Sequence, residues 1–232
     1  MPLSVTSLRA DSRTPLLFTT NMGLEDVVIE EYRERAAAAG LTVADADDAP
    51  LDLRSYAHLT VDAAPEAALS VARQMRSVHH ILAPLYTFSL EGDGQAALDA
   101  IHATVKTLDI AAMEAADTFR ATSVRQGEHD FTSVDVQKWA GGALDARYDA
   151  SVDLEDYDLE VRVDVHDDRC LVSVQHTTEA LSRRQARLFQ PRAALKPNVA
   201  YALLRLAYLE APPAVVLDPF CGSGTILWEA AA

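Results

Sequence analysis

The stretch that most limits what this chain can fold into is Ala214–Ala232, AVVLDPFCGSGTILWEAAA. A short apolar run, Val215-Val216-Leu217, ends in Asp218. A turn from Pro219 to Gly224 follows, and then good helix formers from Ile226 to Ala232. This order predicts a buried strand, a tight loop and a helix, the way a doubly wound α/β domain opens a nucleotide-type site. Gly222 and Gly224 have no Cβ, so the backbone can turn sharply and a ligand can come close. The first amides of the helix lack partners within it and can face an anionic or carboxylate group. Asp218, at the carboxyl end of the strand, can accept from a cationic or hydroxyl group. The turn is no P-loop, because no Gly-Lys-Ser/Thr follows, and Leu227 stands where the third glycine of a GxGxxG fingerprint would fall. Fourteen residues follow Asp218, whereas a doubly wound domain needs several more strand–helix units. The expectation is a chain cut short soon after this element, holding only the first part of that domain.

The 232 residues set a prior of one large or two small domains, and the 49% hydrophobic content allows a sizeable core. No apolar run approaches the about 18 residues of a membrane span. Met1–Arg13 is polar and lacks the apolar segment of a secretory leader. Cys170 and Cys221 form no CxxC pair and read as reduced thiols without a metal, so a cytoplasmic location is expected. The net charge of −15 argues against a nucleic-acid partner, unless the acidity belongs to a salt-adapted or high-GC proteome as a whole. In that case the local pattern is more informative than the total. Between Glu179 and Glu210 there is no acidic residue, while Arg183, Arg184, Arg187, Arg192, Lys196 and Arg205 fall in the interval. This basic island is a candidate phosphate-contacting surface; a linker that neutralises acidic neighbours is the competing reading.

Periodicity orders the rest. Residues 1–14 read as a tail, Leu16–Thr20 as a strand, and Gly23–Ala39 as a helix closed by Gly40. Leu41–Ala46 and Ala57–Ala63 read as strands around an acidic loop. Pro65 opens a helix that continues from Ala67 to Gln74, and His80–Leu90 is β-rich. The order β-α-β-β-α-β is the split βαβ arrangement of a ferredoxin-like domain. A second module follows: helix Gln95–Thr107, strand Thr118–Val124, and helix Ser133–Tyr148 capped by Asp130 or Ser133. Leu159–Val165 and Cys170–His176 then form a hairpin around Asp167-Asp168, with Leu159, Val161, Val163 and Val165 on one face. Leu181–Gln190 is a basic connector, and Asn198–Leu209 is helical. His79-His80 reads as the start of a strand, Trp139 and Tyr148 as core. Ser182 and Ser223 have no His–Asp pairing for hydrolase chemistry.

Asp218-Pro219-Phe220-Cys221-Gly222-Ser223-Gly224-Thr225 resembles motif I of class I S-adenosylmethionine-dependent methyltransferases, specifically those that modify base nitrogens. Upstream, Phe119–Arg125, the helix around Val136–Lys138, the hairpin from Val161 to Gln175, and Arg183–Pro197 look like a THUMP domain and its linker. The chain from about Leu16 is similar to the THUMP-containing tRNA and rRNA guanine-N2 methyltransferases.

The resemblance implies an α/β chain with an α+β N-terminal half. Its parts are a ferredoxin-like domain (residues 14–92), a THUMP RNA-binding domain (93–178), a basic linker and helix (179–211), and the incomplete start of a Rossmann-like methyltransferase domain (212–232). It implies methyl transfer from S-adenosylmethionine to guanine-N2 of tRNA near the acceptor stem, with the THUMP half gripping the acceptor end and no membrane or protein partner. The alternatives are an rRNA substrate, or a non-catalytic RNA-binding protein with a vestigial motif I. Asp218, Pro219, Phe220, Gly222, Ser223, Gly224 and Thr225 would form the cofactor loop, with Asp218 near the methionine amine. Arg120, Arg125, Lys138, Arg183, Arg184, Arg187, Arg192 and Lys196 are the implied RNA contacts. The family's Asp/Asn-Pro-Pro-aromatic catalytic motif would lie beyond Ala232, so no catalytic residue is assigned and this chain alone is expected to be inactive.

Overall fold

The computed structural model describes residues 13–184, 194–207 and 215–232. The chain divides into two compact units, one built from Ser12–Ile81 with Glu179–Ala232, the other from Leu82–Thr178.

In the first unit, β1 (Thr14–Thr19) pairs antiparallel with β3 (Tyr56–Val61), and β3 pairs with β2 (Val43–Asp47). β4 (His80–Ser89) begins on the other side of β1, where the His79 amide donates to the Thr19 carbonyl at 2.7 Å. Helices α1 (Glu25–Ala38) and α2 (Pro65–Ala72) complete the β-α-β-β-α-β order expected of a ferredoxin-like domain. Leu16, Phe18, Val28, Tyr32, Leu59 and Ile81 are sealed in one core. Tyr32 is large enough to span it, and its hydroxyl donates to the Ala68 carbonyl at 3.0 Å, so the buried polar end is satisfied. Two later helices belong to this unit: α5 (Pro197–Ala207) and α6 (Thr225–Ala231).

The second unit carries α3 (Gly94–Thr107) and α4 (Ser133–Asp145) beside a sheet. Its centre is the hairpin of β8 (Leu159–His166) and β9 (Arg169–Gln175), turned by Asp167 at a left-handed φ of 51°. β5 (Thr118–Thr122) pairs parallel with β8, as does the short β6 (Arg125–Gln126). β7 (Ser151–Val152) pairs with β5, and β4 with β9. Phe119, Val136, Leu144, Val161, Val163, Val165 and Val172 fill the core under the helices. The cap of α4 is neither Asp130 nor Ser133. Thr132 accepts from the Asp135 amide, and the Asp135 carboxylate accepts from the Thr132 amide at 2.8 Å, a reciprocal capping box. Tyr148 is core as expected, its hydroxyl donating to the Leu108 carbonyl. Trp139 is not: it lies exposed on α4, edge-on to His102. No helix among the described residues is long and apolar enough to cross a membrane.

Candidate cofactor loop and RNA interface

The glycine turn forms as the sequence predicts, but the strand before it does not. Val215–Leu217 is irregular and open to solvent, with Val215 81% and Leu217 86% exposed. A strand is held by hydrogen bonds to a neighbour, and no described strand pairs with these residues. Past Asp218 the geometry is definite. Asp218 Oδ1 accepts from the Phe220 amide at 3.1 Å, and the Cys221 carbonyl accepts from the Gly224 amide at 2.7 Å. Gly222 and Gly224 sit at φ of +55° and +74°, a region that L side chains rarely adopt, so both positions favour glycine. A Cβ on Gly222 would meet nothing within 4 Å. The loop therefore keeps an open face above a left-handed backbone, which a ligand could approach closely.

Thr225, the first residue of α6, is buried, and its Oγ1 lies 3.1 Å from Ser223 Oγ. Pro219 and Phe220 lie outside, Phe220 92% exposed. One turn into α6, the buried Glu229 carboxylate accepts from Arg76 Nε at 3.1 Å and from Arg184 Nη2 at 2.6 Å.

The predicted RNA contacts scatter. In the second unit, Arg120 pairs with the buried Glu160 at 2.8 Å and stacks on the Tyr157 ring, its guanidinium carbon 4.1 Å from the centroid. Arg125 Nη1 donates to the Gly127 carbonyl at 2.8 Å and lies 3.0 Å from His129 Nδ1, while Lys138 is exposed on α4. In the first unit, Arg183 is exposed, Arg184 holds Glu229, and Lys196 Nζ donates to Asn21 Oδ1 at 3.3 Å. Arg187 and Arg192 lie outside the described residues. His79, read only as a strand start, uses both ring nitrogens, 2.6 Å from Asn21 Oδ1 and 2.7 Å from Ser182 Oγ. Since Asn21 Oδ1 can only accept, Nε2 donates to it.

Sequence reasoning missed a polar row on β8. Glu160, Arg162, Asp164 and His166 alternate with the valines, and all four are buried. Arg162 Nε donates to both Asp164 oxygens at 2.8 and 2.9 Å, and its Nη1 donates to Gln175. The signal was present as a period-two run of ionisable residues.

Residues 95–175 match the THUMP domain model, and residues 184–232 match the RMKL-like methyltransferase domain model. The chain is 37% identical over 219 residues to the tRNA (guanine(6)-N2)-methyltransferase of Thermus thermophilus, covering 92% of this chain and 59% of that protein. It is 37% identical over 141 residues to the enzyme of the same name from Archaeoglobus fulgidus, covering 58% of this chain and 36% of that one. The crystal structure of TrmN from Thermus thermophilus superposes with a TM-score of 0.66 at 35% identity, over 94% of this chain and 61% of that one. Over most of its length the chain is similar to THUMP-containing methyltransferases. It spans about three fifths of the length of the Thermus relative. The fold is shared more widely: SMU.472 in complex with SAH superposes at a TM-score of 0.67 and 20% identity, over 94% of this chain and 55% of that one, a likeness of fold alone. Along the chain, the glycine loop falls inside the methyltransferase match, and the Arg120, Arg125 and β8 residues fall inside the THUMP match.

Proposed function

We propose that this chain is part of an enzyme that methylates guanine-N2 in the acceptor-stem region of tRNA, using S-adenosylmethionine. The observation that carries the reading is the 37% identity, over 92% of the chain, to a protein named for that reaction. The left-handed glycine loop, open above Gly222, supports it. Bound there, S-adenosylmethionine supplies an electrophilic methyl on a sulfonium. The protein contributes positioning and exclusion of water rather than a covalent nucleophile. Asp218 would hold the methionine amine, the Gly222 and Gly224 backbone would take the methionine, and Pro219, Phe220, Ser223 and Thr225 would shape the turn.

Residues 14–92 form the ferredoxin-like domain, 93–178 the THUMP module that grips the acceptor end, 179–211 the linker and helix, and 212–232 the opening of the methyltransferase domain. Arg120 reaches a phosphate only by leaving the buried Glu160 carboxylate, and Arg184 only by giving up its bond to Glu229, which Arg76 also holds. Phosphate contact therefore falls first to Arg125, Lys138, Arg183 and Lys196, together with Arg187 and Arg192. A tRNA substrate goes with a cytoplasmic location. The test is to incubate the full-length protein with methyl-tritiated S-adenosylmethionine and, in separate reactions, unmodified tRNA transcripts or unmodified rRNA, then digest to nucleosides. Labelled N2-methylguanosine is expected; label in rRNA only, or none, overturns the reading.

A further inference from the structure

Two buried carboxylates flank Arg76, and together they join the N-terminal α/β unit to the helix behind the glycine loop. The first is Glu31 on α1, with no solvent exposure. It accepts from the Arg76 amide at 2.9 and 3.1 Å, from the Ser77 amide at 2.9 Å and from Ser77 Oγ at 2.6 Å. The backbone of Arg76 is thereby tied to α1. The second is Glu229 on α6, which takes the Arg76 guanidinium through Nε and Nη2 at the carboxylate and through Nη2 at its own carbonyl. The Arg76 guanidinium also lies over the Tyr201 ring on α5, 4.7 Å from the centroid. Arg184 closes the cluster. Its Nη2 bonds the same Glu229 oxygen at 2.6 Å, and its Nη1 donates to the Arg76 carbonyl at 3.0 Å.

Glu229 lies four residues past Thr225, one turn into a seven-residue helix that starts directly on Gly224. The Trp228 amide donates to the Gly224 carbonyl at 2.9 Å. A helix transmits displacement along its axis, so whatever fixes Glu229 fixes Gly224. The exposed apolar residues of the loop and helix, Leu217, Phe220 and Trp228, supply little packing in this chain to do the same. A buried carboxylate shared by two guanidiniums is specific in distance and direction, unlike apolar contact.

We infer that Glu229 is a positioning residue for the cofactor loop, held by Arg76 and Arg184, and that Arg184 serves this clamp rather than a phosphate. The inference rests on the proposed cofactor site. It is tested in the full-length protein by isothermal titration with S-adenosylhomocysteine and by tRNA binding, both well below the unfolding temperature. Glu229→Gln and Arg76→Ala are expected to raise the Kd for S-adenosylhomocysteine about tenfold, with tRNA affinity within about twofold of wild type. Arg184→Gln, at a more exposed partner, should raise the same Kd about threefold and leave tRNA affinity in place. A residue with a merely structural role would lower the melting temperature and leave the Kd of the folded protein unchanged, and that result overturns the inference. So does a loss of tRNA affinity in Arg184→Gln without a change in the Kd for S-adenosylhomocysteine. If Glu229→Gln and Arg76→Ala do not fold, Arg184→Gln decides alone. A wild-type protein that binds no S-adenosylhomocysteine refutes the cofactor site itself, a separate outcome from unchanged variants.

Discussion

Two residue types in this chain are read differently by sequence and by environment. Cys170 and Cys221 look alike as isolated thiols. Cys170 is buried in the second unit's core, where loss of solvent pushes its thiol far up, while Cys221 stands exposed in the glycine loop. At pH 8 a thiol-exchange chromophore should label one cysteine at once and the other only in denaturant. Saturating S-adenosylhomocysteine should slow the fast reaction; equal labelling of both thiols contradicts the burial. His58 on β3 is a second case. Burial lowers its pKa, with Asp45 and Asp47 opposing, and His166 is lowered by burial likewise. The unfolded state then binds protons more readily than the folded one. Stability is held above the unfolded histidine value of about 6.5 and lost as the pH falls through it toward the folded value. Glu34, lowered chiefly by its hydrogen bond from Arg205, acts only below the ordinary carboxylate range. The denaturation midpoint should therefore drop between pH 7.5 and 5.5, and His58→Gln should flatten that drop. Parallel profiles for the two proteins would contradict this origin.

At the scale of elements, the helices and the β8–β9 hairpin were legible because their signals are local. Four alternating valine and leucine positions, a two-aspartate turn and a glycine after a helix need no distant partner to act. The cap of α4 was misjudged by one or two positions, because Asp130, Thr132 and Ser133 are all competent caps and only the reciprocal bond to Asp135 selects Thr132. Thr132→Ala should cost about 1 kcal/mol in urea unfolding with an unchanged slope. Ser133→Ala should change little; the reverse ranking would relocate the cap. Trp139 reads as core in the sequence, yet α4 turns it outward, edge-on to His102. Val215–Leu217 has the composition of a buried strand, and composition alone does not make one, since no described strand offers it a ladder.

Across the molecule, the acidity of the chain and its basic interval point in opposite directions. Salt dependence tests that interval as a whole. Replacing Arg183 and Lys196 by alanine should weaken tRNA binding for every sequence alike and lower the log–log salt slope by about 0.9 for each duplex phosphate contact removed. An unchanged slope would place the RNA elsewhere. Motif I, the repeated α/β order and the basic stretch were all determined by sequence alone, because each is written in neighbouring residues whose backbone conformation or charge acts locally. The tertiary structure decided which charges are spoken for. Glu31 with Ser77, Glu229 with Arg76, and Glu160 with Arg120 meet across separations of 46, 153 and 40 residues. A buried carboxylate must find a partner or stay out of the core, but nothing in its own neighbourhood says which guanidinium the fold will bring to it.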